Sequence, residues 1–434
     1  MPRCGKAKMR YAASGPQASP DMEASTAHKP TFTGYEKFVI AVLAFLQFTV
    51  ILDFMILSPL GAFLMPGLNI SPEQFGWVVS AYALSAGVSG ITAAGFADKF
   101  DRKKMLLVFY TGFIVGTLFC GLAPTYHLLL AARIFTGVFG GVLNSIGSAI
   151  ITDLFPMQVR GRVMGFVQMA FASSQVLGIP LGLYFANHFG WHSSFLMIVG
   201  VATPVGALIL IKMRPVDAHL KLKSERNAFA HLLHTASNPR YVRGFAATTL
   251  LATGGFMLMP FGTAFLNGNL KIDTKDLPII YTITGLAALV AGPLAGRMAD
   301  KIGKYQVFTI GSLCAMVAAI YYTQLQAASL VLITVISALL FMFVTARIVG
   351  ATTLISGVPA PQDRGAYMGI SSAMQQISGG ISAAIAGMIV VKRADGSLAN
   401  YDILGYVVVA AMAVTILMMY FIHRIVDTPA PARP

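Results

Sequence analysis

The 434 residues are 56% hydrophobic and only 11% charged, carry a net charge of +14 and have a mean hydropathy of +0.71. A soluble domain is about a quarter charged, so water is not the solvent of this chain, and apolar runs of membrane-spanning length recur from Phe38 almost to the end. The positive charge does not mark a nucleic-acid binder, because it falls in short gaps between apolar runs. Cys4, Cys120 and Cys314 stand too far apart in sequence for metal-ligand spacing or a disulfide framework.

Residues 1–36 mix Ala, Ser, Pro and basic residues without the apolar stretch a signal peptide needs, and read as a disordered cytoplasmic tail. Windows of apolar residues then place spans at 38–64, 74–96, 104–123, 127–153, 162–187, 192–212, 242–266, 278–299, 305–323, 328–356, 366–391 and 403–423. Backbone in hydrocarbon must satisfy its own hydrogen bonds, and no alternating strand pattern suggests a barrel, so all twelve are expected to be helices. The expected fold is an all-α membrane protein with bundles at 37–213 and 242–424, a cytoplasmic linker at 214–241 and a cytoplasmic tail at 425–434. With the N-terminus inside, cytoplasmic segments hold 25 of the 31 Lys and Arg, which places both termini in the cytoplasm. In the linker, 228–233 reads as a short interfacial helix or as plain solvated chain.

The longest polar break follows the sixth run and divides the runs six and six, and the halves repeat one another. Gly95, Asp98, Lys99, Asp101, Arg102 and Lys103 follow the second run, while Gly296, Asp300, Lys301, Gly303 and Lys304 follow the eighth. Val159-Arg160-Gly161-Arg162-Val163-Met164-Gly165 opens the fifth run, and Asp363-Arg364-Gly365-Ala366-Tyr367-Met368-Gly369 opens the eleventh. The copies stand about 200 positions apart, as two pseudo-symmetric six-helix bundles built on one pattern would. Such bundles, meeting at a cleft, can rock about a midplane site.

At these residues the chain resembles the major facilitator superfamily, over essentially residues 37–424, and within it the twelve-span drug and sugar efflux branch that exchanges protons for substrate. The family signature after span 2 is a Gly, an Asp four residues on, a basic residue, a second Gly and more basic residues. Asp98, Lys99, Arg102 and Lys103 match it, whereas Ala94 stands at the first glycine position and Asp101 replaces the second; the copy at Gly296, Asp300, Lys301, Gly303 and Lys304 matches better. A carboxylate such as Asp98 can cap a facing helix, and Arg102 and its neighbour Lys103 can pair with Asp153 at the inner end of span 4, latching the inside shut. The same charges also set topology.

Of the 17 acidic residues only Asp53 lies well inside an apolar run. A carboxylate there must be protonated or paired, which suits a proton carrier or an acid paired permanently with a neighbour. Arg133, followed four residues later by Gly137, resembles the family's fourth-span motif associated with proton antiport. At 1.5 Å per residue, Asp53 and Arg133 lie about 16 Å and about 10 Å from the outer ends of their spans, depths that permit contact. Gly137, Gly140, Gly141, Asn144 and Ser148 lie on or near the Arg133 face, either as cleft lining or as a small-residue packing seam. Gly178, Pro180 and Gly182 resemble part of the glycine-proline motif of the family's antiporters, with Ser174 and Leu183 where further glycines are frequent. Arg347 has no acidic partner in the second half and is left to snorkel, bond carbonyls or contact an anionic substrate. Gln168, Gln175, Tyr281, Gln375 and Gln376 join Asn144 and Arg347 as candidate cavity liners, or serve as interhelical hydrogen-bonding groups.

The resemblance implies a proton-coupled exporter of drugs, sugars or metabolites in a cytoplasmic (inner) membrane, working as a monomer with the lipid bilayer, protons and a small-molecule substrate as partners and with no cofactor. The alternative is a symporter or facilitator that takes up a nutrient or organic anion. An enzyme is not indicated: the sequence has no nucleotide-binding glycine loop, HExxH helix, nucleophile elbow or paired-acid constellation.

Overall fold

The structure is a computed structural model that describes residues 32–93, 100–217, 220, 228–326, 328–360 and 363–427. Helix α1 (Gly34–Ile56) opens on a capping box, in which the Thr33 hydroxyl accepts from the Glu36 amide and the Glu36 carboxylate accepts from the Thr33 amide. The cap lies in the polar segment, so the helix starts ahead of the apolar run at 38. It stops at Ile56 because Pro59 has no amide to donate and its ring excludes a continuing helix. A turn at 57–60 leads into α2 (Gly61–Gly67), so the expected single span at 38–64 is two helical pieces.

Four long stretches follow: α3 (Pro72–Ala93), α4 (Arg102–Leu122), α5 (Tyr126–Leu154), and the pair α6 (Met157–Ser173) and α7 (Ile179–Phe189) joined by a π-helical turn, Ser174–Gly178. The sequence reads that last stretch as one regular span. Pro180 withholds an amide just past the turn, and the freed geometry widens the helix locally. Helix α8 (His192–Lys212) ends the first half, and α9 (Ala228–Ser237) lies within the linker, longer than the 228–233 segment and packed against the second half through Leu232 and Ala236.

In the second half, α10 (Pro239–Leu258) breaks at Pro260 in a single 3-10 turn before α11 (Gly262–Gly268), about 200 positions from the break at Pro59 and for the same reason. Then come α12 (Leu277–Ile302), α13 (Lys304–Thr323), α14 (Leu330–Ile355), α15 (Arg364–Ile389) and α16 (Tyr401–Asp427), with a two-residue antiparallel hairpin, β1 (Val391–Lys392) and β2 (Leu398–Ala399), ahead of α16. Among the described residues, eleven stretches are long and apolar enough to cross a membrane. The twelfth, α15, has 26 residues but is rich in Ser, Gly and Gln, and its buried face lies along α3. It is less apolar than a lipid-facing helix needs to be because protein covers it.

The two halves are six-span bundles, α1–α8 and α10–α16. Lys and Arg crowd one end of the molecule, here the basic end, where α4, α6, α10, α13 and α15 begin; the opposite end is the far end. The two halves meet along α3 with α15, and along α6, the π turn and α7 with α12.

Candidate functional site

Within the first half, Asp53 on α1 and Arg133 on α5 meet: Asp53 Oδ2 lies 2.8 Å from Arg133 Nη1, and both side chains are 0% exposed. The Thr117 hydroxyl on α4 donates to Asp53 Oδ1 at 3.1 Å, and the Tyr82 ring on α3 covers the guanidinium, 4.5 Å from its carbon to the ring centroid. Arg133 is thus bound on one edge only; its Nε and Nη2 have no hydrogen-bond partner among the described residues. A cation stacked on an aromatic face gains attraction that water would otherwise screen.

The helices reach this density because α5 turns glycine toward α3. A Cβ on Gly137 would lie 2.5 Å from the Tyr82 carbonyl oxygen, and one on Gly141 would collide with the Ala86 backbone. Of the small-residue face, Gly137, Gly140 and Gly141 form this packing seam, while Asn144 and Ser148, one and two turns nearer the basic end, are exposed. On the other side of α1, Gly178 and Gly182 receive the Leu52 and Ile56 side chains, which flank Asp53.

A small cavity lies between the halves, lined by Met55, Ile179 and Met259 with Gln175, Tyr281 and Thr284 as its polar groups. The structure therefore brings Gln175 and Tyr281 together. Gln168 and Gln375 are exposed, Gln376 is half-buried, and Arg347 is buried inside the second half.

Beyond this cavity the far end is closed. A Cβ on Gly76 would lie 2.8 Å from the Ala383 carbonyl oxygen and 3.2 Å from the Gly387 Cα, so α3 and α15 touch backbone to backbone. The Ser80 hydroxyl donates to the Gly380 carbonyl at 2.5 Å, Thr263 to the Ser58 carbonyl at 3.2 Å, and the Asn187 amide to the Thr274 carbonyl at 2.9 Å, all three across the halves. Toward the basic end the halves part: Gly161 and Gly165 on α6, Gly296 on α12, and Gly365 and Gly369 on α15 have nothing within 4 Å of the place a side chain would occupy.

At the basic end, Arg102 Nε lies 3.2 Å from Asp153 Oδ2, which ties α4 to α5 inside the first half rather than across the cleft. Lys103 donates to the Leu210 carbonyl at 3.1 Å. Asp101, which replaces the signature's second glycine, caps α4 by accepting from the Lys103 amide and also accepts from the Val216 amide. Its counterpart Gly303 sits at φ 105°, a conformation that favours glycine, so the two copies make different turns and need different residues. Asp300 and Lys304 are exposed and form no ion pair among the described residues; Asp98 lies outside them. Tyr82, Thr117 and the cross-half donors Ser80, Thr263 and Asn187 were not singled out by the sequence. Hydroxyls in spans commonly bond their own helix, as Thr136 does to the Ala132 carbonyl, so their type alone carries no signal.

Residues 43–246 and 244–434 each match the family model described as Major Facilitator Superfamily. The chain is 27% identical over 350 residues, 79% of its own length and 87% of the relative's, to an uncharacterized MFS-type transporter, YceJ, of Bacillus subtilis. It is 23% identical to Multidrug resistance protein 2 of the same organism, over 63% of this chain and 70% of that one. Among solved structures, a bacterial homologue of the human lysosomal transporter Spinster, in an inward-facing and unoccupied conformation, superposes with a TM-score of 0.75 at 16% identity, over 93% of this chain and 100% of that one. Two matched six-span halves, joined at a seam that is closed at one end only, identify the chain as a member of the Major Facilitator Superfamily, a multi-pass membrane transporter of small molecules.

Proposed function

We propose that this transporter is proton-coupled and exports small amphipathic molecules by alternating access. The observation that carries the reading is the Asp53–Arg133 pair, sealed from water in one half beside the seam on which the halves would rock. A carboxylate stripped of water is tolerated as an ion only while a cation faces it, and a proton removes that need, so movement of α1 away from α5 goes together with protonation of Asp53. Gly178 and Gly182 carry the fifth span hard against α1 on either side of Asp53, so a shift of α6 and α7 reaches the pair directly. In this reading the bundles at 37–213 and 242–424 are the rocking bodies. The basic end faces the cytoplasm of an inner membrane by the positive-inside rule, and both termini lie there. Cargo enters from that side past Asn144, Gln168 and Gln375 and reaches the cavity at Gln175 and Tyr281. Export is favoured over uptake by the Gly178, Pro180 and Gly182 pattern and by the likeness to a multidrug resistance protein.

The test is flux into proteoliposomes driven by a proton gradient, across a panel of dyes, sugars and organic anions, for wild type and Asp53→Asn. The expected result is gradient-driven accumulation by wild type that the substitution abolishes while counterflow exchange persists. Equal accumulation by both proteins removes Asp53 from the coupling step, and accumulation only when the gradient is reversed makes the protein an importer.

A further inference from the structure

In each half, an arginine on the fourth span reaches toward the first and third spans of that half. Arg133 on α5 finds Asp53 on α1, which Thr117 on α4 supports. Arg347 on α14 is 1% exposed; its Nε faces the Ser312 hydroxyl on α13 at 3.4 Å, and a Cβ on Gly254 of α10 would lie 3.5 Å from its Nη1. The first span of the second half thus presents glycine where the first half presents a carboxylate. Nη2 of Arg347 has no partner among the described residues. No Asp or Glu occurs anywhere in α10, α11, α13, α14 or in α15, and the acids of α12 and α16, Asp300, Asp402 and Asp427, stand near helix ends. A guanidinium in hydrocarbon without a counter-charge costs several kcal/mol, and no rearrangement of this half can bring an internal acid to it.

We propose that Arg347 is an anion site: a single carboxylate or halide-sized monoanion binds its Nη1 and Nη2 edge, on the side of Gly254 and within reach of Ser312. Such an anion is either the acidic group of the cargo or a free inorganic ion. As a statement about cargo this rests on the transport reading, and it makes the transported class amphipathic monoanions; as a statement about binding it stands alone.

The experiment is thermal unfolding of the purified full-length protein in detergent at fixed ionic strength, with no gradient and no second compartment, so it is independent of whether transport is proton-coupled. The probes are 2-naphthoate against its uncharged isostere 2-naphthamide, and chloride exchanged for sulfate. Wild type should gain a saturable rise in midpoint with naphthoate and none with naphthamide. Arg347→Gln should lose that rise, and Arg347→Lys should keep part of it. Gly254→Asp supplies the missing carboxylate from α10 and should fold yet no longer respond, which covers the case in which Arg347→Gln is unstable. A response to naphthoate that chloride does not compete away assigns the site to cargo, and one that chloride reproduces assigns it to a free ion. An equal naphthoate response in wild type and Gly254→Asp, or none in wild type, overturns the proposal.

Discussion

Arg133 offers five donor hydrogens and, among the described residues, is met by one carboxylate oxygen and one aromatic face, so the charge that faces it there is Asp53. Removing one member of a buried pair strands the other, whereas replacing both with apolar groups of like volume leaves nothing stranded. Asp53→Leu alone should therefore lower stability by about 3 kcal/mol, and Asp53→Leu combined with Arg133→Met should recover most of that loss. Unfolding midpoints in detergent for the two single variants and the double variant check this, and additive losses would show that the pair is not a unit. The sequence makes Asp53 and Arg133 stand out because charge inside an apolar run is conspicuous. Their shell stays hidden, since Tyr82 and Thr117 are ordinary residues whose importance comes only from the helix faces that tertiary packing selects.

Among the elements, α9 is held in place by titratable groups. His231 Nε2 lies 3.1 Å from Asp363 Oδ1, and the Tyr241 hydroxyl donates to Asp363 Oδ2 at 2.7 Å, so the linker helix is pinned to the N-terminus of α15 and to α10. The Tyr241 hydroxyl first, and then His231, holds the Asp363 carboxyl below its usual range. A depressed carboxylate contributes stability that is present above its unfolded value, about 4, and is lost as pH falls through the lower folded value. His234, when charged, favours the same ionised form. Asp363→Asn should speed amide exchange in α9 by roughly tenfold at pH 7, the equivalent of about one charge-assisted hydrogen bond. Exchange rates unchanged by the substitution would mean that Leu232 and Ala236 alone hold the helix. The sequence leaves this segment open between helix and solvated chain. Its apolar positions make a helix possible, but the anchor is a residue more than a hundred positions away.

For the whole molecule, the seam of α3 against α15 decides which end is open. Backbone contact at Gly76 and Gly387 leaves no room for a side chain, so Gly387→Leu should wedge the far end apart and shift the protein toward the opposite opening. Single cysteines report the shift: one at Asn144 should lose reactivity to a membrane-impermeant maleimide in the Gly387→Leu background, while one at Ser80 gains it. Unchanged reactivity at both sites would mean that α15 yields locally and the halves stay as they are. The twelve runs and the two-fold repeat are legible from hydropathy and spacing. The helix breaks at Pro59 and Pro260 and the π turn are not, because an apolar window measures length and solvent and not continuity. Nor is the open end readable, since both arrangements use the same spans. At the far end the closure rests on hydroxyl, amide and glycine contacts, with no ion pair across the halves among the described residues. Electrolyte screens charges and leaves such contacts untouched, so the resting posture of this transporter should be indifferent to the salinity of its surroundings.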